Sequence, residues 1–464
     1  MIATTFLAVS WDAVKASREG EPGIARRQAE RLADLVSFAR EHSPYLAQCY
    51  AHTPDRVEDI RRLPLSEKAA LMAHFDDWVT DSCVTRQNVE AFIADPQLAG
   101  RDFLGRYVVC TTSGATGTPA ILMHDHHALT VYNVLGYVRS LRTMMNPRFV
   151  TEMVRGRGHL AAVFVSGGHF LGSTMMARRH RAMPWRAKTQ RLFSALLPEQ
   201  QLVDGLNAFS PVILGGYPSV LELLARNQLA GKLHIHPILI SAAGETLTDS
   251  ARQRISAAFG CHVANYYGTS EAVGLTFECA GGHLHVNSDW YVLEPITGDG
   301  VSTGADEMSD DVLVTNLANR IQPIIRYRLG DRVAMNSDRC QCGSPFPCIR
   351  VEGRTDDILE FRGVHGQTVR IPPLALATIA EETPGVSRCQ LVQTAPAILR
   401  VRMSCDESQD GSAVWDRLHA RLRSYLGSQG IGALRIERAS EGPQLHPGSG
   451  KFRQVFSLSE KPRS

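Results

Sequence analysis

Thr111, Thr112, Ser113, Thr116 and Thr118 crowd into the ten residues TTSGATGTPA at 111–120, with Gly114 and Gly117 between them. The hydroxyls can donate to anionic oxygens, and the glycines let the backbone bend and bring its own N–H groups to the same oxygens. That is the chemistry of polyphosphate binding. The run is not a Walker A loop, which needs Gly-Lys-Ser/Thr before a helix. Here Pro119 follows, and Ile121, Leu122 and Met123 read as a second short strand. A hairpin tip over a triphosphate is the expectation, although a Ser/Thr/Gly loop taken alone is an ordinary turn.

Three more segments and one lysine follow in order. YGTSE at 267–271 sets the Ser270 hydroxyl, suited to an α-phosphate, beside the Glu271 carboxylate, suited to Mg²⁺ directly or through water. YRLGDRV at 327–333 supplies Asp331, able to accept from two ribose hydroxyls, and GRTDDI at 353–358 supplies Arg354 for the same ribose or a phosphate. Lys451, in HPGSGKFRQV, would bring a point charge to the α-phosphate as negative charge moves. Alone, Glu271 reads as a capping or surface carboxylate, Asp331 as a turn residue and Lys451 as a solvated charge. The ordered set gives them a common purpose.

These residues need a scaffold. Residues 11–100 read mostly as helix, with apolar positions at helical spacing around 25–39 and 65–78, Ser66 as a candidate N-cap, and nothing that looks chemical. Beyond the hydroxyl-rich loop, strand patterns at 160–166, 211–214, 235–241 and 262–267 alternate with helical patterns at 198–209, 218–229 and 247–259. Such alternation implies βα units and a parallel sheet flanked by helices, with ligands at the carboxyl ends of the strands. The polar signatures fall at those ends: Gly215-Gly216-Tyr217, Ala243-Gly244-Glu245 and the run from Tyr267 and Gly268 to Glu271. From Leu275 the pattern turns to short β runs, and after 353–357 it becomes a smaller α+β unit. The fold class expected is α/β: a large N-terminal domain (1–355) of flanked parallel sheets plus a β-rich subdomain, then a small mobile α+β C-terminal domain (356–464).

Composition bounds the rest. At 464 residues, with 44% hydrophobic and 21% charged residues, the chain is globular and long enough for two or three domains. The formal charge of +2, with basic residues scattered, suggests no nucleic-acid partner. No run is long enough to span a bilayer and no signal-peptide pattern opens the chain, so a cytoplasmic protein is expected. Ten cysteines then read as free thiols or a metal site rather than a disulfide framework. Cys279, His285, Cys340 and Cys342 would make a closed tetrahedral zinc shell of three thiolates and one imidazole, with Cys348 or His283 able to replace one ligand. His124, His126 and His127, in MHDHH, lack ligand spacing and mark a helix start.

The ordered motifs resemble the adenylate-forming superfamily of acyl-CoA synthetases, and most closely its phenylacetate:CoA ligase branch. GGYPS at 215–219, SAAGE at 241–245 and the Cys-rich insert before GRTDDI are further likenesses to that branch. The resemblance implies ATP and Mg²⁺, a nucleotide site at Thr111, Thr112, Ser113, Gly114, Thr116, Gly117, Gly244, Glu245, Tyr267, Gly268, Asp331 and Arg354, and catalysis by Ser270, Glu271 and Lys451. It also implies a hinge at Asp356. An acid pocket at Phe164, Tyr217 and Ala243 would suit a small aryl or arylacetic acid. The acid is first converted to acyl-AMP, and after domain rotation coenzyme A thiol attacks it. A small-molecule acid is the expected partner, with no membrane, and a homodimer is left open.

The chain departs from the family pattern at Thr118, where many relatives carry lysine, and at Glu360-Phe361 and the polar VHGQTVRIPP that follows Gly363. That second region helps form the thiol channel in relatives. The departures keep a second reading open, in which the acceptor is an amine, or nitrite is activated for reaction with an aryl amine. A non-catalytic nucleotide-binding scaffold would be expected to lack Lys451 or Glu271, and both are present.

Overall fold

Leu160–Phe164, Ile213–Gly216, Leu239–Ala243 and His262–Tyr266 are short apolar runs, and burying their faces requires a cover of helices on a sheet. The computed structural model, which describes residues 5–54, 57, 59–112, 120–141, 147–351, 359–371, 373–405, 409–444 and 454–458, shows that sheet. Five strands pair in parallel in the order Gln190–Ser194, Leu160–Phe164, Ile213–Gly216, Leu239–Ala243, His262–Tyr266. The helices Glu199–Phe209, Pro218–Leu229 and Asp249–Phe259 connect its strands, and Leu206, Leu221, Leu224 and Ile255 pack against Leu214, Ile240 and Val263. Local signals set the ends: Pro218 opens its helix, the Thr248 side chain caps the next, and Gly260 closes that one at φ 65°.

A second core joins the long helix Phe6–His42 to three antiparallel sheets. One holds the hairpin Tyr107–Thr111 and Ile121–Asp125, with Asp102–Phe103 at its edge. Another runs Val333–Met335, Cys348–Val351, Leu284–Val286, Thr276–Glu278, and the third Tyr291–Ile296, Asp311–Asn316, Tyr327–Arg328. The β character read after Leu275 is therefore present.

Residues 359–455 enclose a third core. The strands Arg435–Arg438, Ile398–Cys405, Val386–Ala395 and Val455–Ser457 form a mixed sheet under the helices Pro373–Glu381 and Gly411–Ser428. Leu196 packs against both this core and that of the parallel sheet, and Gln429 Nε2 donates to the Leu196 and Leu197 carbonyls at 3.4 and 3.3 Å. The boundary expected at 355/356 and the Asp356 hinge lie outside the described residues.

One local expectation is corrected. Ser66 does not cap a helix: it bridges Tyr327 in parallel, its N–H donating to the Arg326 carbonyl at 3.0 Å, and the helix begins at Lys68 with Glu67 as its cap residue. Strand pairing across the chain competes successfully with a local hydroxyl cap. No helix among the described residues is long and apolar enough to cross a membrane.

Candidate active site and metal centre

The hydroxyl-rich hairpin is fixed at its base. Thr112 N–H donates to the Ala120 carbonyl at 3.0 Å, its Oγ1 accepts from Ala120 N–H at 2.9 Å, and Thr111 N–H donates to the His169 carbonyl at 2.9 Å. Ser113, Gly114, Thr116, Gly117 and Thr118 lie outside the described residues, as do Arg354 and Lys451. Lys68 Nζ reaches Thr112 Oγ1 at 3.5 Å, which brings a cation from the helical N-terminal region to the hairpin. The sequence reading missed it, because one lysine among helical residues carries no motif.

The strand His262–Tyr266 delivers YGTSE to the carboxyl edge of the parallel sheet. Tyr267 N–H donates to Thr276 Oγ1, and that hydroxyl donates back to the Tyr267 carbonyl at 2.7 Å, so Tyr267 is gripped from both sides. Gly268 lies against the Tyr266 ring: a Cβ there would stand 2.9 Å from Tyr266 Cε1. Glu271 is buried, its Oε1 accepting from the Tyr327 hydroxyl at 3.1 Å and its carbonyl from Asn316 Nδ2 at 2.9 Å. Ser270 beside it is half-exposed. Tyr267 OH donates to Asp331 Oδ2 at 3.0 Å. The structure thus brings together Glu271, Ser270, Tyr267, Gly268 and Asp331, from two motifs some sixty residues apart.

Behind this group, His124 is fully buried with Nε2 3.6 Å from Cys110 Sγ and Nδ1 3.3 Å from Tyr132 OH. Burial lowers its pKa to about 4, although the Asp125 carboxylate and the Ser270 backbone pull the other way. Asp125 caps the helix His126–Leu135 through Ala128 N–H at 2.8 Å, in agreement with the helix start read from MHDHH.

Phe164 meets Tyr217 edge to face at 4.8 Å. Gly244, at φ 82°, leaves room for that tyrosine: a Cβ would lie 2.8 Å from Tyr217 Cε1. Ala243 ends its strand alongside. The Glu245 carboxylate accepts from Ser219 N–H and Ser219 Oγ, both at 3.0 Å, at the N-terminus of the helix Pro218–Leu229. It therefore caps that helix and favours its positive end.

Cys279, His285, Cys340 and Cys342 converge, with their donor atoms all within 4.8 Å of one another. Cys279 Sγ lies 3.8 Å from Cys340 Sγ, and Cys342 Sγ lies 3.4 Å from His285 Nε2. Tetrahedral zinc with ordinary Zn–S and Zn–N bonds separates its ligand atoms by roughly 3.5–3.8 Å, so this donor set suits that ion. His285 Nδ1 donates to the Phe346 carbonyl at 2.7 Å, which leaves Nε2 as the ligating atom. Cys348 Sγ is 3.5 Å from Nδ1 and 3.4 Å from Nε2, a position beside the ring, and neither it nor His283 joins the converging set.

The sequence pattern of the AMP-binding enzyme family matches residues 47–298, more than half of the chain. The chain belongs to the AMP-binding enzymes. A phenylacetate-coenzyme A ligase of Thermus thermophilus is 25% identical to this AMP-binding enzyme over 381 residues, which span 77% of this chain and 76% of that protein. Protein CapK of Staphylococcus aureus is 30% identical over 170 residues, 34% of this chain and 35% of the relative. Among solved structures, 2-hydroxyisobutyryl-CoA ligase with 2-HIB-AMP and CoA superposes with a TM-score of 0.58 at 20% identity, covering 93% of this chain and 89% of that one. The same ligase in its postadenylation state gives 0.53, covering 94% and 89%. At that identity the likeness shows a shared fold. This AMP-binding enzyme is an ATP-dependent, AMP-forming ligase of the adenylate-forming superfamily.

Proposed function

We propose that this AMP-binding enzyme activates a small aryl or arylacetic acid as its acyl-adenylate and passes the acyl group to coenzyme A. A substrate carboxylate oxygen attacks the α-phosphorus of ATP, the bond to the β-phosphate oxygen breaks, and pyrophosphate leaves. Thr111, Thr112 and the hydroxyls beyond them hold the phosphates, Asp331 the ribose, and Ser270 the α-phosphate. Glu271 would hold Mg²⁺, whose charge, when bound, offsets that of the triphosphate. Lys451 would supply charge to the α-phosphate and Arg354 a contact to the ribose, and rotation about Asp356 would turn the domain 356–464 for the second step. There the thiol sulfur bonds the acyl carbon, AMP leaves with the carboxyl oxygen, and the thiol proton is released.

The observation that carries this reading is the pair of hydroxyl contacts Tyr327 to Glu271 and Tyr267 to Asp331, which draw the carboxylates of two motifs into one site. The aryl preference is supported by the Phe164–Tyr217 pair and by the phenylacetate ligase relative. The closed Cys/His shell would hold structural zinc, since four protein ligands leave no open position for chemistry. An acceptor other than coenzyme A is the second reading, resting on the departure from the family pattern around the hairpin Leu359–Arg362 and Thr368–Ile371, whose tip 363–367 is closed by Gly363 N–H on the Gln367 carbonyl at 2.8 Å.

The test is pyrophosphate release with MgATP across aryl, arylacetic and small aliphatic acids, with and without coenzyme A, and with nitrite plus an aryl amine as a separate condition. A thioester mass with one aryl acid supports the reading. Release that ignores coenzyme A, or that needs nitrite, moves the second step to another acceptor. Selective use of an aliphatic acid overturns the substrate class.

A further inference from the structure

Three amides, Asn316, Asn319 and Gln322, recur at intervals of three in NLANRIQ, and all are buried, with exposures of 0, 2 and 0%. A buried side-chain amide is costly unless both its donor and its acceptor are used. Gln322 Oε1 accepts from Met123 N–H at 2.7 Å while its Nε2 donates to the Ile121 carbonyl at 3.3 Å. Asn319 Nδ2 donates to the Met123 carbonyl at 2.8 Å, and its Oδ1 accepts from Asp125 N–H at 3.3 Å. Asn316 Nδ2 donates to Tyr132 OH at 2.8 Å and to the Glu271 carbonyl at 2.9 Å.

The strand Ile121–Asp125 pairs along one edge with Tyr107–Thr111. Along its other edge, two side-chain amides stand where a neighbouring strand would present peptide groups, and so cover an edge that would otherwise be unpaired. Asn316, six residues back from Gln322, holds the Glu271 backbone, and Tyr327, five residues on, holds its carboxylate. Tyr132 closes the circuit, because its hydroxyl also meets His124 on the hairpin strand. One segment therefore grips the phosphate hairpin and the metal-binding carboxylate at once.

We propose that Asn316, Asn319 and Gln322 are positioning residues for adenylation, setting the phosphate hairpin and Glu271 as one unit around the triphosphate. The inference rests on the adenylation chemistry proposed above, in which both parts touch the same ATP. A misplacement of about 1 Å between groups holding one substrate is enough to slow a reaction by orders of magnitude.

The experiment compares Gln322→Met, which keeps length and removes both hydrogen bonds, with the wild type in two half-reactions. These are acid-dependent ATP–pyrophosphate exchange, and acyl transfer from the supplied acyl-adenylate of whichever acid the wild type activates. The expected result is a rise of about ten-fold in KM for MgATP in exchange, the loss of one or two buried hydrogen bonds, with transfer within two-fold of wild type. Equal losses in both half-reactions that track a lowered melting temperature, or an unchanged KM, would overturn the proposal. Should Gln322→Met fail to fold, Asn319→Ala, which removes the other pair of side-chain hydrogen bonds to the same strand, carries the same comparison. A wild type that exchanges pyrophosphate with no acid overturns the functional reading itself and the inference with it, an outcome distinct from an active wild type with an indifferent variant.

Discussion

Tyr267 OH donates to Asp331 Oδ2 at 3.0 Å, so the carboxylate proposed for the ribose is tethered to the same motif that carries Glu271. Removing the tether by Tyr267→Phe should raise KM for ATP by about five- to ten-fold, the roughly 1 kcal/mol net worth of one hydrogen bond, with kcat little changed. Asp331→Ala should cost more, about a hundred-fold in kcat/KM. Pyrophosphate-exchange kinetics at varied ATP check both.

Glu271 is held by Tyr327 OH at 3.1 Å in a buried site. Glu271→Gln keeps the shape and removes the charge, and should lower kcat of exchange by about 10²–10³, with a higher Mg²⁺ requirement. Tyr327→Phe leaves the charge in place but loosens it, and should cost about ten-fold. Titration of exchange against Mg²⁺ separates loss of the proposed metal ligand from loss of its orientation.

Gly268→Ala would press a Cβ to 2.9 Å from the Tyr266 ring, whose hydroxyl already accepts from Gly274 N–H at 2.5 Å. A loss of about 1–3 kcal/mol is expected from such overpacking, read as a lower urea midpoint. Gly427→Ala is the control. That glycine sits in the helix Gly411–Ser428 with nothing within 4 Å of an added Cβ, so the change should be neutral or stabilising by up to about 1 kcal/mol.

Chelation with a strong zinc ligand should lower the melting temperature while the turnover of still-folded protein holds, because a four-ligand shell supplies stability rather than chemistry. Cys342→Ser should reproduce the shift without chelator. A metal-free preparation that melts unchanged would count against zinc at this cluster.

His124 predicts an acid limb. Its pKa falls from 6.5 to about 4 on folding because burial disfavours the imidazolium, so between those values the unfolded chain binds a proton that the folded chain does not. Stability from this residue is fully present above pH 6.5 and is lost as pH falls toward 4, by roughly 3 kcal/mol in total. His124→Gln should flatten that part of the stability–pH curve, measured by denaturant unfolding at several pH values.

Much of the fold was legible because its signals are local. Pro218 and the apolar spacing behind it gave the helix Pro218–Leu229 at both ends, and the alternation of apolar runs with helical ones gave the parallel sheet. The convergence of Cys279 and His285 with Cys340 and Cys342 could be read from ligand chemistry, although their sequence separation hides it. Three things could not be read. Ser66 looks like a cap until Tyr327 arrives beside it; the helix-capping contact of Glu245 needs Ser219, 26 residues away; and Asn316, Asn319 and Gln322 carry no motif that would announce the hairpin edge lying against them. Each depends on a partner brought from elsewhere in the chain. Local patterning says nothing about that.

Leu196 and Gln429 have a mechanical meaning. The third core meets the parallel-sheet core through a shared leucine and through one amide divided between two carbonyls at 3.3 and 3.4 Å, both near the long limit for a hydrogen bond. A leucine contact and two such long bonds together amount to about 2–4 kcal/mol, a clasp that the proposed rotation of the C-terminal domain would have to release on the microsecond-to-millisecond scale of domain motions. The clasp touches the loop just after Ser194, at the carboxyl end of an edge strand of the parallel sheet. Turnover and opening would then share one fulcrum, and stiffening it with a larger apolar residue at 429 would slow the chain between its two chemical steps while leaving each step intact.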